Sequence, residues 1–193
     1  MSEDDSAAEV LENMQRFLSG LLFLVTMTVL APSIFSQTSN DAARVKTREQ
    51  LAQLLDTVGP KIKTSFRRSE KQPFNYIGIL KDGLTNADSM EIVIGVTANQ
   101  TIGFRIFPHY GAAYINVDKA RNSAGLMRQL LRLSDKNFLY WGIDESADVF
   151  AGYTFTLESG FPEEALTIVL RSIGNLDKFV GEMKPMLDGT PAP

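Results

Sequence analysis

Met90, Ile92, Ile94 and Val96 alternate with Glu91, Val93, Gly95 and Thr97. After Ala98-Asn99-Gln100 the pattern returns as Ile102, Phe104 and Ile106, against Thr101, Gly103 and Arg105. Side chains alternate across a strand, so each segment buries one face and shows the other. A three-residue link allows only antiparallel pairing, because a parallel return needs a crossover of a dozen or more residues. A chain with this hairpin at its centre must build an antiparallel sheet and cover at least one of its faces.

Other period-2 segments extend that sheet. Ile62 to Phe66 and Phe74 to Leu80 are predicted strands, the second entered at Pro73. Asp82 to Ser89 (DGLTNADS) is turn-rich, Pro108-His109-Tyr110-Gly111 is read as a turn, and Ala113, Ile115 and Val117 alternate again. A late hairpin is predicted where Phe138 to Ile143 (FLYWGI) and Val149 to Leu157 (VFAGYTFTL) flank Asp144 to Asp148 (DESAD).

Helical periods lie between and around the strands. Thr47-Arg48-Glu49-Gln50 reads as a capping box, with Thr47 at N-cap and Gln50 at N3, ahead of Leu51, Leu54, Leu55 and Val58; Gly59-Pro60 stops that helix. Gln37 to Lys46 reads as a polar linker. From Lys119, Ala120, Ala124, Met127 and Leu131 form one stripe, widened by Leu126, Leu130 and Leu133. A closing helix opens with Pro162 at N1 and Glu163 and Glu164 in its first turn, where carboxylates suit the helix dipole. Its buried stripe is Val169, Ile173, Leu176, Val180 and Met183; Lys184-Pro185 is expected to end it. Helices set between runs of strands predict an α+β fold, with an antiparallel sheet carrying helices on one face.

Residues 17 to 40 hold no charged side chain, and Leu21 to Ala31 is an apolar run the length of a signal-peptide h-region. Met14 is a candidate start, giving an n-region with Arg16, then Pro32 and cleavage expected near Ser36–Gln37. The other reading is an uncleaved anchor over residues 17–36, about 20 residues and enough to span a bilayer. Localisation is therefore expected to be periplasmic or secreted, or membrane-anchored if the leader is retained. The expected domains are a leader (1–36), a linker (37–46), one α+β domain (47–187) and a disordered tail (188–193).

Five of the 23 acidic residues and one of the 19 basic residues precede residue 37, so the remainder is electrically balanced. That balance lacks the basic excess of a general nucleic-acid binder. The chain has no cysteine, which removes disulfides, thiolate nucleophiles and cysteine metal sites. Its one histidine, His109, has no second His or Cys to complete a zinc set and reads as a turn residue. Asp144, Glu145 and Asp148 lack EF-hand spacing and read as a solvated hairpin turn. Lys61, Lys63, Arg67, Arg68 and Lys71 make the one dense basic patch, read as an edge strand blunted by charge. Neither G-x-x-x-x-G-K-[ST] nor G-x-S-x-G occurs. No catalytic residue, cofactor or metal site is expected. Glu91 and Glu158 are the strand-borne carboxylates an acid-base enzyme would need to bring together.

Tyr140, Trp141, Phe150, Tyr153 and Phe155 cluster on the late hairpin. Alternation sends Tyr140 and Trp141 to opposite faces, so at least one large ring needs cover from a helix, a partner or a ligand. These five are the candidate partner-binding residues.

The segment from Gln50 to Leu187 resembles the YbjN-type family, described as bacterial sensory-transduction regulators, with a fold shared with type III secretion chaperones. The resemblance rests on TREQLAQLLDTVG, LMRQLLRLSDKNFLYWGID, AGYTFTLES and FPEEALTIVLRSIGNLDKFVGEM. It implies the order α-βββ-α-ββ-α, often as a homodimer, and protein binding rather than catalysis. Ser134-Asp135-Lys136-Asn137 matches the family's helix-to-strand step in part. The expected function is an exported, non-enzymatic protein-binding domain, chaperone-like or regulatory. The competing readings are a small-ligand or lipid-binding module of the cell envelope and a membrane-anchored regulator.

Overall fold

The computed structural model describes residues 31–189, with side-chain surroundings from residue 41 onward. The chain divides into two compact units, Met1–Ala42 and Ala43–Pro193. Of the first, helical backbone from Ala31 is described. The leader, cleavage and anchor readings rest mainly on residues outside the described ones, as does the tail from residue 190. Among the described residues no helix is long and apolar enough to cross a membrane.

The strands are β1 (Phe66–Arg68), β2 (Asn75–Leu80), β3 (Ser89–Val96), β4 (Thr101–Tyr110), β5 (Ala113–Tyr114), β6 (Tyr140–Ile143) and β7 (Val149–Thr156). They form one antiparallel sheet in the order β1-β2-β3-β4-β7-β6, with β5 beside β4 at His109 and Tyr110. The helices are α1 (Ala31–Val58), α2 (Ser123–Lys136), α3 (Glu163–Ser172) and α4 (Asp177–Asp188). The fold is α+β, as expected. The order is fuller than α-βββ-α-ββ-α, because short β1 and β5 flank the β2-β3-β4 meander and the closing helix is two helices.

The sheet's buried face follows the alternation. Met90, Ile92, Ile94 and Val96 stack beside Ile102, Phe104 and Ile106, in the register Ile94↔Phe104 and Ile92↔Ile106. Beyond them lie Val149 and Ala151 of β7 and Trp141 of β6. Onto this face α1 brings Leu51, Leu54, Leu55 and Val58, and α2 brings Leu126, Leu130 and Leu133. The closing helices add Val169, Ile173, Leu176, Val180 and Met183, the full stripe read from the sequence, in the same core.

Several local expectations are corrected. The backbone is helical through Gln37–Lys46, and the boundary between the two units falls within that segment; Thr47 therefore caps nothing, and its hydroxyl donates back to the Ala43 carbonyl at 3.1 Å. Asp41 to Lys46 (DAARVK) holds no Gly or Pro, and polar composition alone does not break a helix. Gly59–Ile62 is a 3-10 turn, and the strand begins only at Phe66. His109 lies in β4 rather than in a turn; the chain reverses at Gly111 and Ala112, both left-handed.

In α2 two apolar stripes of one period lie side by side. Packing chose Leu126, Leu130 and Leu133, leaving Leu131 66% exposed and Met127 at the surface. The closing helix is interrupted by a 3-10 turn over Ile173–Leu176, and Pro185 lies inside α4, which runs on to Asp188 and ends at left-handed Gly189. Asp188 is thus helical, not tail.

Asp177 opens α4 and fixes the Asp82–Ser89 loop. Its carboxylate accepts from the backbone N–H of Thr85, Asn86 and Ala87, from the Thr85 hydroxyl and from the Asn86 amide. Burial pushes this carboxyl up, but the donors from Ala87, Thr85 and Asn86 outweigh it and hold it at about 2.

Candidate functional site

Among the described residues no helix lies over the second face of the sheet, and its residues are set by the same register. One row across the strands reads Arg67, Ile77, Val93, Arg105, Gly152 and Tyr140. The next reads Asn75, Gly95, Gly103 and Thr154. On the other side lie Ile79, Glu91 and Phe107.

Glycines make the middle of this face a depression. Gly95 and Gly103 are direct cross-strand partners. The Asn75 side chain lies over Gly95, whereas a Cβ on Gly103 would meet nothing within 4 Å. The Tyr140 ring lies over Gly152, where a Cβ would collide with it. The result is an open groove of about 660 Å³ running across the strands, with Ile77, Val93, Phe107 and Tyr140 among its walls.

One end of the groove is closed by α1 and the Ser69–Asn75 loop. Arg44 donates from Nε and Nη2 to the Val96 carbonyl at 2.9 and 2.8 Å, and its guanidinium lies 3.7 Å from the Phe74 ring centre. It is a fixed charge on the rim. The loop is shaped by Gln72 and Ser69: the Asn75 amide donates to the Gln72 side chain, and the Gln72 N–H to the Ser69 hydroxyl.

Beside the groove runs an aromatic belt. Tyr140 packs edge-on to Phe150 (6.0 Å), Phe150 against Phe107 (5.6 Å), Phe107 against Tyr114 (5.8 Å) and Tyr114 against His109 (4.3 Å). The Arg105 guanidinium sits 4.9 Å from the Phe150 ring centre. Phe150 is 6% exposed yet belongs to no part of the helix-covered core; its cover is this belt. The Tyr114 hydroxyl donates to Glu91 Oε2 at 3.0 Å, and burial together with that bond pushes its pKa up to about 12.

The five aromatics singled out from the sequence do not form one surface. Tyr140, 45% exposed, and Phe150 face the open side. Trp141 is 5% exposed and packs against Phe179 of α4 at 6.1 Å, so it belongs to the core. Tyr153 and Phe155 pack against each other on the helix side, with Phe104 and Phe138 as further ring neighbours. The sequence reading missed Arg44, Gly103, Arg105 and Phe107. The signal was present in Gly103, Arg105 and Phe107, the outward positions of β4, where a polar face would not carry a large ring.

The remaining candidates have structural partners. Asp144 Oδ1 accepts from the N–H of Ser146 and Asp148, closing the late turn, and Asp148 accepts from the Asn116 amide at 2.7 Å. Glu91 is committed to Tyr114, and Glu158 lies in the loop after β7. Of the basic patch, Arg67 and Arg68 lie on the sheet-edge strand β1, and Lys63 pairs with Asp82 at 3.6 Å. Among the described residues no group of three His, Asp or Glu is placed to hold a metal ion. Comparisons with family models, curated proteins and solved structures found no match for this chain.

Proposed function

We propose that this chain is a non-enzymatic binding protein that holds a protein partner against the open face of its sheet. The observation that carries the reading is the sheet face that no described helix covers, with a glycine-floored groove beside a contiguous aromatic belt. Large rings left at a surface mark contact sites, and aromatic and Arg side chains are enriched where interfaces concentrate binding energy. The groove is an open trough rather than an enclosed chamber, which supports a protein segment over a small ligand. The resemblance to YbjN-type regulators and chaperone-like folds supports the same class of function, and the uncharged run before residue 40 supports an exported or membrane-anchored setting.

Position-specific photo-cross-linking tests it. A photoreactive phenylalanine is placed at Tyr140 on the open face or at Ile168, which is exposed on α3, in cells that produce the chain. Protein adducts from position 140 and none from 168 are expected. Adducts from 168 alone would overturn the reading.

A further inference from the structure

The walls of the groove carry charge of one sign. Arg44, Lys71 and Arg105 line it, and no Asp or Glu does. Arg67 stands in the same cross-strand row as Arg105. Among the described residues, none of these four cations has a carboxylate partner within ion-pair distance; the salt bridge there is Lys63–Asp82. Glu91, in the neighbouring row, is occupied by the Tyr114 hydroxyl. A chain that is electrically balanced from residue 37 onward has therefore gathered unpaired cations over an apolar floor.

The spacing of those charges is set by the sheet. Arg67 and Arg105 are three strands apart, about 14 Å at the usual inter-strand distance. Between them lie Ile77 and Val93. An extended chain advances about 14 Å in four residues, and its residues i, i+2 and i+4 point the same way. A segment laid across the strands would place acidic side chains at i and i+4 over the two arginines. The side chain at i+2 would then rest on Ile77 and Val93.

We propose that the partner presents an extended acidic segment of this kind, acidic-x-apolar-x-acidic, to the groove. The inference rests on the protein-binding reading above and adds the chemistry of the partner. Opposite charges would steer the encounter, and the apolar middle residue would give register.

Fluorescence anisotropy with the full chain tests it, using a fluorescein-labelled peptide that carries DSLSD between glycines. NSLSN and KSLSK serve as comparisons. DSLSD is expected to bind at least tenfold more tightly than either, with affinity falling as salt rises. Arg105→Glu, at an exposed position, should weaken it at least tenfold. Gly103→Val should do the same by filling the floor, while its thermal melt stays unchanged because a Cβ there meets nothing. Equal binding of NSLSN and DSLSD would overturn the acidic segment while leaving adducts at Tyr140 to stand for the general reading. Absence of DSLSD binding, or binding indifferent to Arg105→Glu, would also overturn it. A peptide of residues 1–14, which holds five carboxylates and no basic side chain, is the last arm. Its binding in preference to DSLSD would overturn a partner-borne segment and assign the groove to the chain's own N-terminus.

Discussion

The two faces of the sheet are built from the same strands by opposite rules. On the helix side every position in the centre of β3 and β4 is a large apolar residue, packed to near-zero exposure. On the open side, the same strands carry Val93, Gly95, Gly103, Arg105 and Phe107. A solvated sheet face would be polar throughout, and a buried one would contain no arginine without a partner. The open face is neither. One side holds the helix-covered core, and the other keeps glycines, rings and cations without carboxylate partners.

The sharpest way to break this comparison is to truncate matched neighbours. Phe104→Ala should cost about 3–5 kcal/mol in a denaturant melt, since the ring is buried among core side chains. Arg105→Ala, one residue on, should stay within about 0.5 kcal/mol. Similar losses at both positions would mean that the open face is a second core.

The Asp177 clamp gives the next largest effect and belongs wholly to the helix side. Asp177→Ala strands three backbone N–H groups of the 85–87 turn and should cost about 2–4 kcal/mol, with Asp177→Asn between it and the native chain. Its carboxyl sits at about 2 in the folded chain against an ordinary 3.8. The unfolded chain therefore binds the proton more readily. The stabilisation is complete above about pH 4 and is lost as pH falls towards and through 2. Acid titrations of the native chain and of Asp177→Asn should converge below that range; parallel curves throughout would remove the clamp.

Tyr140→Ser should leave the melt within about 1 kcal/mol of the native chain while reducing partner adducts from a photoreactive phenylalanine at position 107, a groove wall that already carries a ring, because Tyr140 is exposed and lies over Gly152. Unchanged adducts would disconnect the belt from the groove. The smallest effect is expected at His109. Its Nε2 is buried without a hydrogen-bond partner among the described residues, so His109→Phe, which keeps a ring against Tyr114, should shift stability by less than about 1 kcal/mol in either direction. A larger loss would show a bond from that nitrogen that supports the belt.

The α+β class, the central hairpin, the late hairpin and the closing stripe were legible because each rests on local periodicity. The α2 stripe was not, since Met127 and Leu131 satisfy the helical period as well as Leu130 and Leu133 do, and only the neighbouring sheet decides between them. The start of α1 was misread because Thr47 and Gln50 look like a cap in any context, and a cap is lost when helical residues precede it. The groove was illegible for a different reason. Gly95, Gly103 and Gly152 become a floor only when β3, β4 and β7 are aligned, and β7 follows a long excursion. The split of the aromatics was half visible: alternation separated Tyr140 from Trp141, but not which of them the helices would cover.

The insertion of β7 between β4 and β6 also bears on how the molecule is made. Thr101 to Ile106 pair with Thr156 to Ala151, so β4 has one bare edge until the last quarter of the chain has been synthesised. An unpaired apolar strand edge is a template for association with other chains, and distant pairing of this kind is slow. A nascent chain halted before residue 149 holds the meander strands without β7 and without the closing helices that complete their core. Ribosomal pausing or a premature stop in that interval therefore yields a sticky intermediate rather than a smaller working protein. The same topology sets a practical rule for engineering: tags and fusions belong at the termini, because any insertion that delays β7 lengthens the life of that bare edge.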